Sequence, residues 1–207
     1  MKTTIALALA AGLLASGAVG ATERASKKVP ATANIFGAGI ATAPQPGGGG
    51  GGVLPPVWRL PAAASMRVVT FPRITGKITP IVGDAPYNGP EGDRRGPTNI
   101  KSFKGISGIM DFTNGMFLVG VFLTDSPPKR PAPPRFDFTD KEKFDVLAPR
   151  LGQTFFVGDG KGRSYRVPPT ATRLFVGFAD GFFYQGAPGW YDNNAGSLDV
   201  TIKVSRP

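Results

Sequence analysis

Two segments of the chain gather oxygen-bearing side chains among glycines, the combination that surrounds a hard cation. The first runs from Asp84 to Asn99 and holds Tyr87, Asn88, Glu91 and Asp93. The second runs from Asp180 to Ser197 and holds Asp180, Asp192, Asn193 and Asn194. Calcium takes about 6–8 oxygens at about 2.3–2.6 Å, drawn from carboxylates, amide oxygens, backbone carbonyls and water. One Asp, two adjacent Asn and a few loop carbonyls would supply most of that shell. Gly189 and Gly196 let the backbone fold tightly around it. The same Asp-Asn-Asn run also closes an ordinary turn through local hydrogen bonds. Spacing alone leaves both readings open.

Other chemistries are excluded by what the chain lacks. Its 207 residues contain no His and no Cys. That removes His-ligated zinc, His general bases, Ser-His and Cys-His nucleophiles, and disulfide staples. Gly158-Asp159-Gly160-Lys161-Gly162 has no helix after it to hold a phosphate, so it reads as a hairpin turn. Asp137, Asp140, Glu142 and Asp145 are interspersed with Lys141 and Lys143. They read as a solvated charge cluster rather than the carboxylate pair of a glycoside hydrolase. No enzyme is expected. The net charge of +10 is scattered and accompanied by no nucleic-acid motif. It fits a cationic surface or, more sharply, attraction to acidic glycans and anionic cell surfaces. Contact with a membrane is expected only by surface association.

The elements that would position these loops are strands. Gly (29) and Pro (21) together exceed a fifth of the chain, which favours short strands and many turns. Strand patterns fall at 67–71, 74–81, 116–123, 153–157, 172–179 and 197–204. The 116–123 run is apolar throughout and suits a central strand. Asp140 to Leu147 has a slight helical leaning. The fold class is therefore all-β, a jelly-roll-like β-sandwich. Ahead of it, residues 1–21 carry the charged start, apolar run and small-residue end of a secretory signal peptide. Residues 22–64 read as a flexible Gly/Pro-rich stalk, with six consecutive glycines at Gly47 to Gly52. Ile35, Phe36, Ile40, Val53, Leu54, Val57 and Trp58 are unusually apolar for a free linker, which leaves docking on the domain open. The domain itself is assigned to residues 65–207, in a secreted, periplasmic or cell-surface protein.

The final loop resembles a known family. Pro188-Gly189-Trp190-Tyr191-Asp192-Asn193-Asn194-Ala195-Gly196-Ser197, followed by a strand, is similar to the ending of the PA-IL-like galactose-binding lectins. Tyr87 with Gly89-Pro90-Glu91-Gly92-Asp93, and the run Asn114 to Gly120, resemble two earlier segments of that family in the right order. The stalk, with its Asn34-Ile35-Phe36-Gly37-Ala38-Gly39 segment and glycine run, looks like that of PEP-CTERM-type exported proteins, without their sorting tail. The resemblance implies a jelly roll in which one Ca²⁺ bridges protein and sugar. Carried over, Asp180 is the carboxylate ligand, with a short insertion after it. Asn193 and Asn194 are side-chain ligands, and Tyr87 and Trp190 give backbone carbonyls. The ion takes two vicinal sugar hydroxyls, and Pro97 and Asn99 lie at the sugar rim. The expected partner is a galactoside or other glycan, bound by Asp180, Trp190, Asn193, Pro97 and Asn99, with homo-oligomer formation open.

Three positions depart from the family pattern. Gly96 stands where the lectin has His, Asn99 where it has Gln, and Trp190 where it has a small hydroxyl residue. Trp190 could stack on a sugar or block the pocket. A gapless alignment would put Gly186 in place of Asp180 and remove the charge from the site. The alternative to a lectin is a structural or adhesive envelope protein with the same fold and no sugar site.

Overall fold

The computed structural model describes residues 23–62, 66–84, 87–93 and 96–206. The expected signal peptide lies outside the described residues. The described chain is all-β, with strands in three sheets around one apolar core.

The first sheet contains β1 (Glu23–Pro30), β3 (Val68–Thr79), β8 (Val146–Leu147), β10 (Ser164–Arg166) and β13 (Ala195–Ser205), in the order β1-β13-β3-β10-β8. The second contains β2 (Val57–Arg59), β6 (Leu118–Leu123), β9 (Phe155–Phe156) and β11 (Arg173–Phe178), in the order β2-β11-β6-β9. The third contains β4 (Thr98–Ile100), β5 (Ile109–Asp111), β7 (Phe136–Asp137) and β12 (Gln185–Gly186), in the order β12-β4-β5-β7.

Sequence pattern accounts for the two main sheets. β13 alternates buried Leu198, Val200, Ile202 and Val204 with more exposed residues, as a half-buried strand must. β6 is buried at all six positions and sits between β11 and β9, matching its unbroken apolar run. The separate strand patterns at 67–71 and 74–81 merge into the single strand β3, with Pro72 inside it. The 140–147 segment forms no helix and ends in β8.

Two expectations are corrected. Gly158–Gly162 is a turn, but it joins β9 of the second sheet to β10 of the first, so it closes no hairpin. Residues 23–62 of the expected stalk are part of the fold. β1 pairs with β13 along its whole length, from Glu23↔Val204 to Pro30↔Ser197. Val29, Ile35, Phe36 and Trp58 are buried in the core, and Asn34 caps a 3₁₀ turn at Ile35–Gly37 by accepting from the Phe36 N–H. The physical reason is their apolar content. A segment with this much to bury gains more from docking than chain freedom costs it.

The glycine run is seated against the final loop. Gly47 N–H donates to the Pro188 carbonyl at 2.8 Å, and Trp190 N–H donates to the Gly48 carbonyl at 2.9 Å. Tyr191 N–H donates to the Gly50 carbonyl at 3.2 Å, and Gly52 N–H donates to Asp192 Oδ1 at 2.8 Å. Side chains at Gly47, Gly49, Gly50 and Gly52 would strike the loop. A Cβ on Gly52, whose φ is +64°, would meet the Thr32 carbonyl and lie 2.6 Å from Tyr191 Cβ. Gly52→Ala is expected to cost at least about 2 kcal/mol, from the left-handed backbone plus the collision. Gly48→Ala, also at positive φ but with open space around its Cβ, should cost about 1 kcal/mol. Thermal denaturation of the two variants checks the difference.

Candidate cation and ligand site

The site is built where β11 ends and the final loop returns to β13. β11 delivers Ala179 and Asp180 into the interior, and Asp180 is 3% exposed. The backbone there is fixed by Tyr191, which is fully buried. Its hydroxyl accepts from the Asp180 N–H at 2.9 Å and donates to the Phe178 carbonyl at 3.0 Å. Gly189 N–H donates to the Asp180 carbonyl at 3.2 Å. One phenol thus binds the strand end to the loop that follows it. Burial, and then the neighbouring Asp180, push that phenol well above its ordinary range.

Asp180 accepts two hydrogen bonds. Oδ1 takes the Gly181 N–H at 2.7 Å, and Oδ2 takes Nδ2 of Asn194 at 2.9 Å. Burial pushes its carboxyl up to about 7, against the downward pull of those two bonds. Asn194 Nδ2 also donates to the Ala31 carbonyl at 3.2 Å. With both neighbours accepting, the amide of Asn194 has its orientation set, and its Oδ1 faces away from them. That Oδ1 and the Oδ1 of Asn193 are both buried without a hydrogen-bond partner. Buried polar atoms are rarely left so, and each costs about 1–3 kcal/mol unless something else satisfies it. The residue types fit a hard cation, but only Asp180 and Asn193 share a cavity wall; Asn194 turns its N–H toward Asp180, with its Oδ1 facing away, and does not line that cavity.

Asp180 and Asn193 line a cavity of about 200 Å³, together with Pro80, Ile81, Gly181, Phe182, Phe183, Tyr184 and Trp190. That is room for a hydrated ion, since one water occupies about 30 Å³. Asp180 is the one acidic side chain on its wall, and no three acidic side chains gather as a metal cluster among the described residues. Trp190 is placed at a positive φ of 66°, donates Nε1–H to the Gly47 carbonyl at 3.0 Å, and packs on Phe182 with ring centroids 4.9 Å apart.

The other expected residues are distributed differently. Tyr87 is 36% exposed and does not line the cavity; Pro80 and Ile81, at the end of β3, stand at its wall. Asn88, beside Tyr87, exchanges backbone hydrogen bonds with Ile78. Asn99 lies on β4, opposite Gln185 of β12, and faces a separate groove that shares Phe182 and Phe183 with the cavity. Pro97 lines neither. Gly186 also belongs to the groove, and the carboxylate hydrogen-bonded to Asn194 is that of Asp180. The Gly89–Asp93 segment acts as a bracket. Glu91 Oε1 accepts from the Asp159 N–H at 2.6 Å and from Arg163 at 3.1 Å, and Asp93 bridges to Gly115.

Sequence reasoning missed Pro80 and Ile81 as walls, and Lys101, Arg135 and Gln185 in the groove. Nothing in local spacing marks them; strand pairing brings them in from four separate segments. Searches of protein-family models, of curated proteins and of solved structures find nothing that matches this chain.

Proposed function

We propose that the protein is a non-enzymatic, calcium-dependent carbohydrate-binding module of galactoside type, exported and presented at or beyond the cell surface. The observation that carries this reading is the buried carboxylate of Asp180, which shares a cavity wall with Asn193 and accepts from Asn194, while the Oδ1 of each amide is buried without a partner. Asp180, Asn193 and Asn194 would hold the ion, with the Trp190 carbonyl as a backbone candidate and the jelly-roll course of the resemblance as frame. A bound cation supplies positive charge that favours the ionised form of Asp180 and orients hydroxyl oxygens of a sugar. The chain's own part is to exclude bulk water with Phe182, Phe183 and Trp190 and to offer those rings to the apolar face of a sugar. A donor set with a single negative charge belongs to the weak end of protein calcium sites, about 10⁻⁴–10⁻³ M.

Trp190→Ala is expected to weaken galactoside binding about fivefold to tenfold, through loss of ring contact. Calorimetry in saturating calcium checks this. An unchanged or tighter affinity would make Trp190 a cover over the cavity.

A structural or adhesive role without sugar is the second reading, favoured by the aromatic walls that narrow the cavity. It predicts calcium binding that raises stability while lactose and galactose remain unbound.

A further inference from the structure

The groove beside the candidate cation site is cationic and aromatic, and the calcium reading leaves most of it unused. It encloses about 700 Å³ and is lined by Asn99, Lys101, Arg135, Gln185, Phe182 and Phe183, together with Gly186. No carboxylate lines it among the described residues. Neither Lys101 nor Arg135 makes an ion pair among the described residues. Arg135 makes its hydrogen bonds to neutral partners, with the carboxylate of Asp137 near enough to interact with it electrostatically: one guanidinium nitrogen donates to Asn99 Oδ1 at 2.6 Å, and the other lies 3.4 Å from Met110 Sδ. This fixes the guanidinium across β4 and β5 while leaving N–H groups for an external acceptor. Lys101 is fixed at its backbone, where its N–H donates to the Gly186 carbonyl at 2.7 Å.

The aromatic wall is unusual in its own right. Phe182 and Phe183 are 54% and 75% exposed, with centroids 4.5 Å apart. Phe183 and Tyr184 both hold positive φ, 50° and 58°. Left-handed backbone at non-glycine residues is strained and gathers at ligand sites. Here it presents two apolar rings to water, on the boundary between the cavity and the groove.

We infer that this groove is a second subsite for an acidic saccharide, in which Lys101 and Arg135 receive a sulfate or carboxylate while a sugar ring lies against Phe183. The occupant is chosen by two features together. Two cations, with no acidic residue on the groove wall among the described residues, select an anion. Exposed rings beside amides select a flat-faced, hydroxyl-bearing molecule over a bare inorganic ion. Phe182 and Phe183 form a wall shared by this subsite and the cavity at Asp180. The inference rests on the carbohydrate reading above, but the groove does not itself need the cation.

The test uses the chain from residue 22 to 207, titrated calorimetrically in calcium with lactose and with 3′-sulfolactose. The sulfated disaccharide is expected to bind about tenfold tighter than lactose, the gain of a charge-assisted contact. In the Lys101→Ala, Arg135→Gln double variant the ratio should fall to about one, with an unchanged melting temperature. Equal affinity of the native protein for both sugars would overturn the subsite and leave the calcium lectin reading intact. Equal competition by inorganic polyphosphate would also overturn it, reducing the groove to charge alone. Sulfolactose bound after chelation, and lost in the double variant, would uphold the subsite while the calcium reading falls. No binding of either sugar under any condition would overturn both.

Discussion

A fragment beginning at residue 65 is expected not to fold, whereas the chain from residue 22 unfolds in one cooperative transition. The fragment would lack β1, leaving β13 as an unpaired edge. It would also lack Val29, Ile35, Phe36 and Leu60 from the core. Burying side chains of this size contributes about 1.5–3 kcal/mol each, so about 6–12 kcal/mol disappears with them. That equals most or all of the usual 5–15 kcal/mol by which a domain is stable. The loss also uncovers β11 where β2 pairs with it and removes the glycine seat of the final loop. Far-UV circular dichroism and thermal melts of the two chains decide the matter. A sharp transition in the shorter one would mean that residues 23–62 merely lie on a self-sufficient domain.

Asp180→Asn is expected to lower calcium affinity more than about 100-fold, since even outer partners of metal ligands cost 10–100-fold. It should also change how stability depends on pH. The folded carboxyl titrates at about 7 because it is buried, whereas in the unfolded chain it titrates near 3.8. Between these values the folded state holds the proton and the unfolded state does not. Without calcium, stability from this group is therefore full below about pH 4 and lost as pH rises through 7, by at most about 1.4 kcal/mol per pH unit. Asp180→Asn should flatten that dependence. Calcium reverses the sign: affinity should climb as pH rises to 7, with proton release on binding below that point. Melting temperatures between pH 5 and 8, with chelator and with calcium, separate these effects. An unaltered pH profile in the variant would mean that Asp180 is ionised throughout.

The strands were readable because their residues carry the pattern themselves. β13 alternates and β6 is uniformly apolar, and each lies where its pattern places it. The Asp180, Asn193 and Asn194 grouping was also readable, because one loop and one strand end hold all three. The glycine run was not. Gly47 to Gly52 has the composition of a linker, and its role comes from partners more than 130 residues later, at Pro188, Trp190, Tyr191 and Asp192. Glycine there provides close approach rather than freedom, and a sequence window cannot distinguish the two. The groove was hidden for a similar reason. Arg135 reaches Asn99 only because β7 lies beside β5 and β5 beside β4, a topology that no local spacing encodes.

The most direct test of the central claim is calcium titration into chelator-treated protein spanning residues 22–207, followed by galactose. The account predicts one calcium per chain with a Kd of about 10⁻⁴–10⁻³ M. It further predicts galactose binding that appears only once calcium is bound, and neither event in Asp180→Asn. Native protein that takes up no calcium at millimolar concentration, with Asn193 and Asn194 intact, would contradict it.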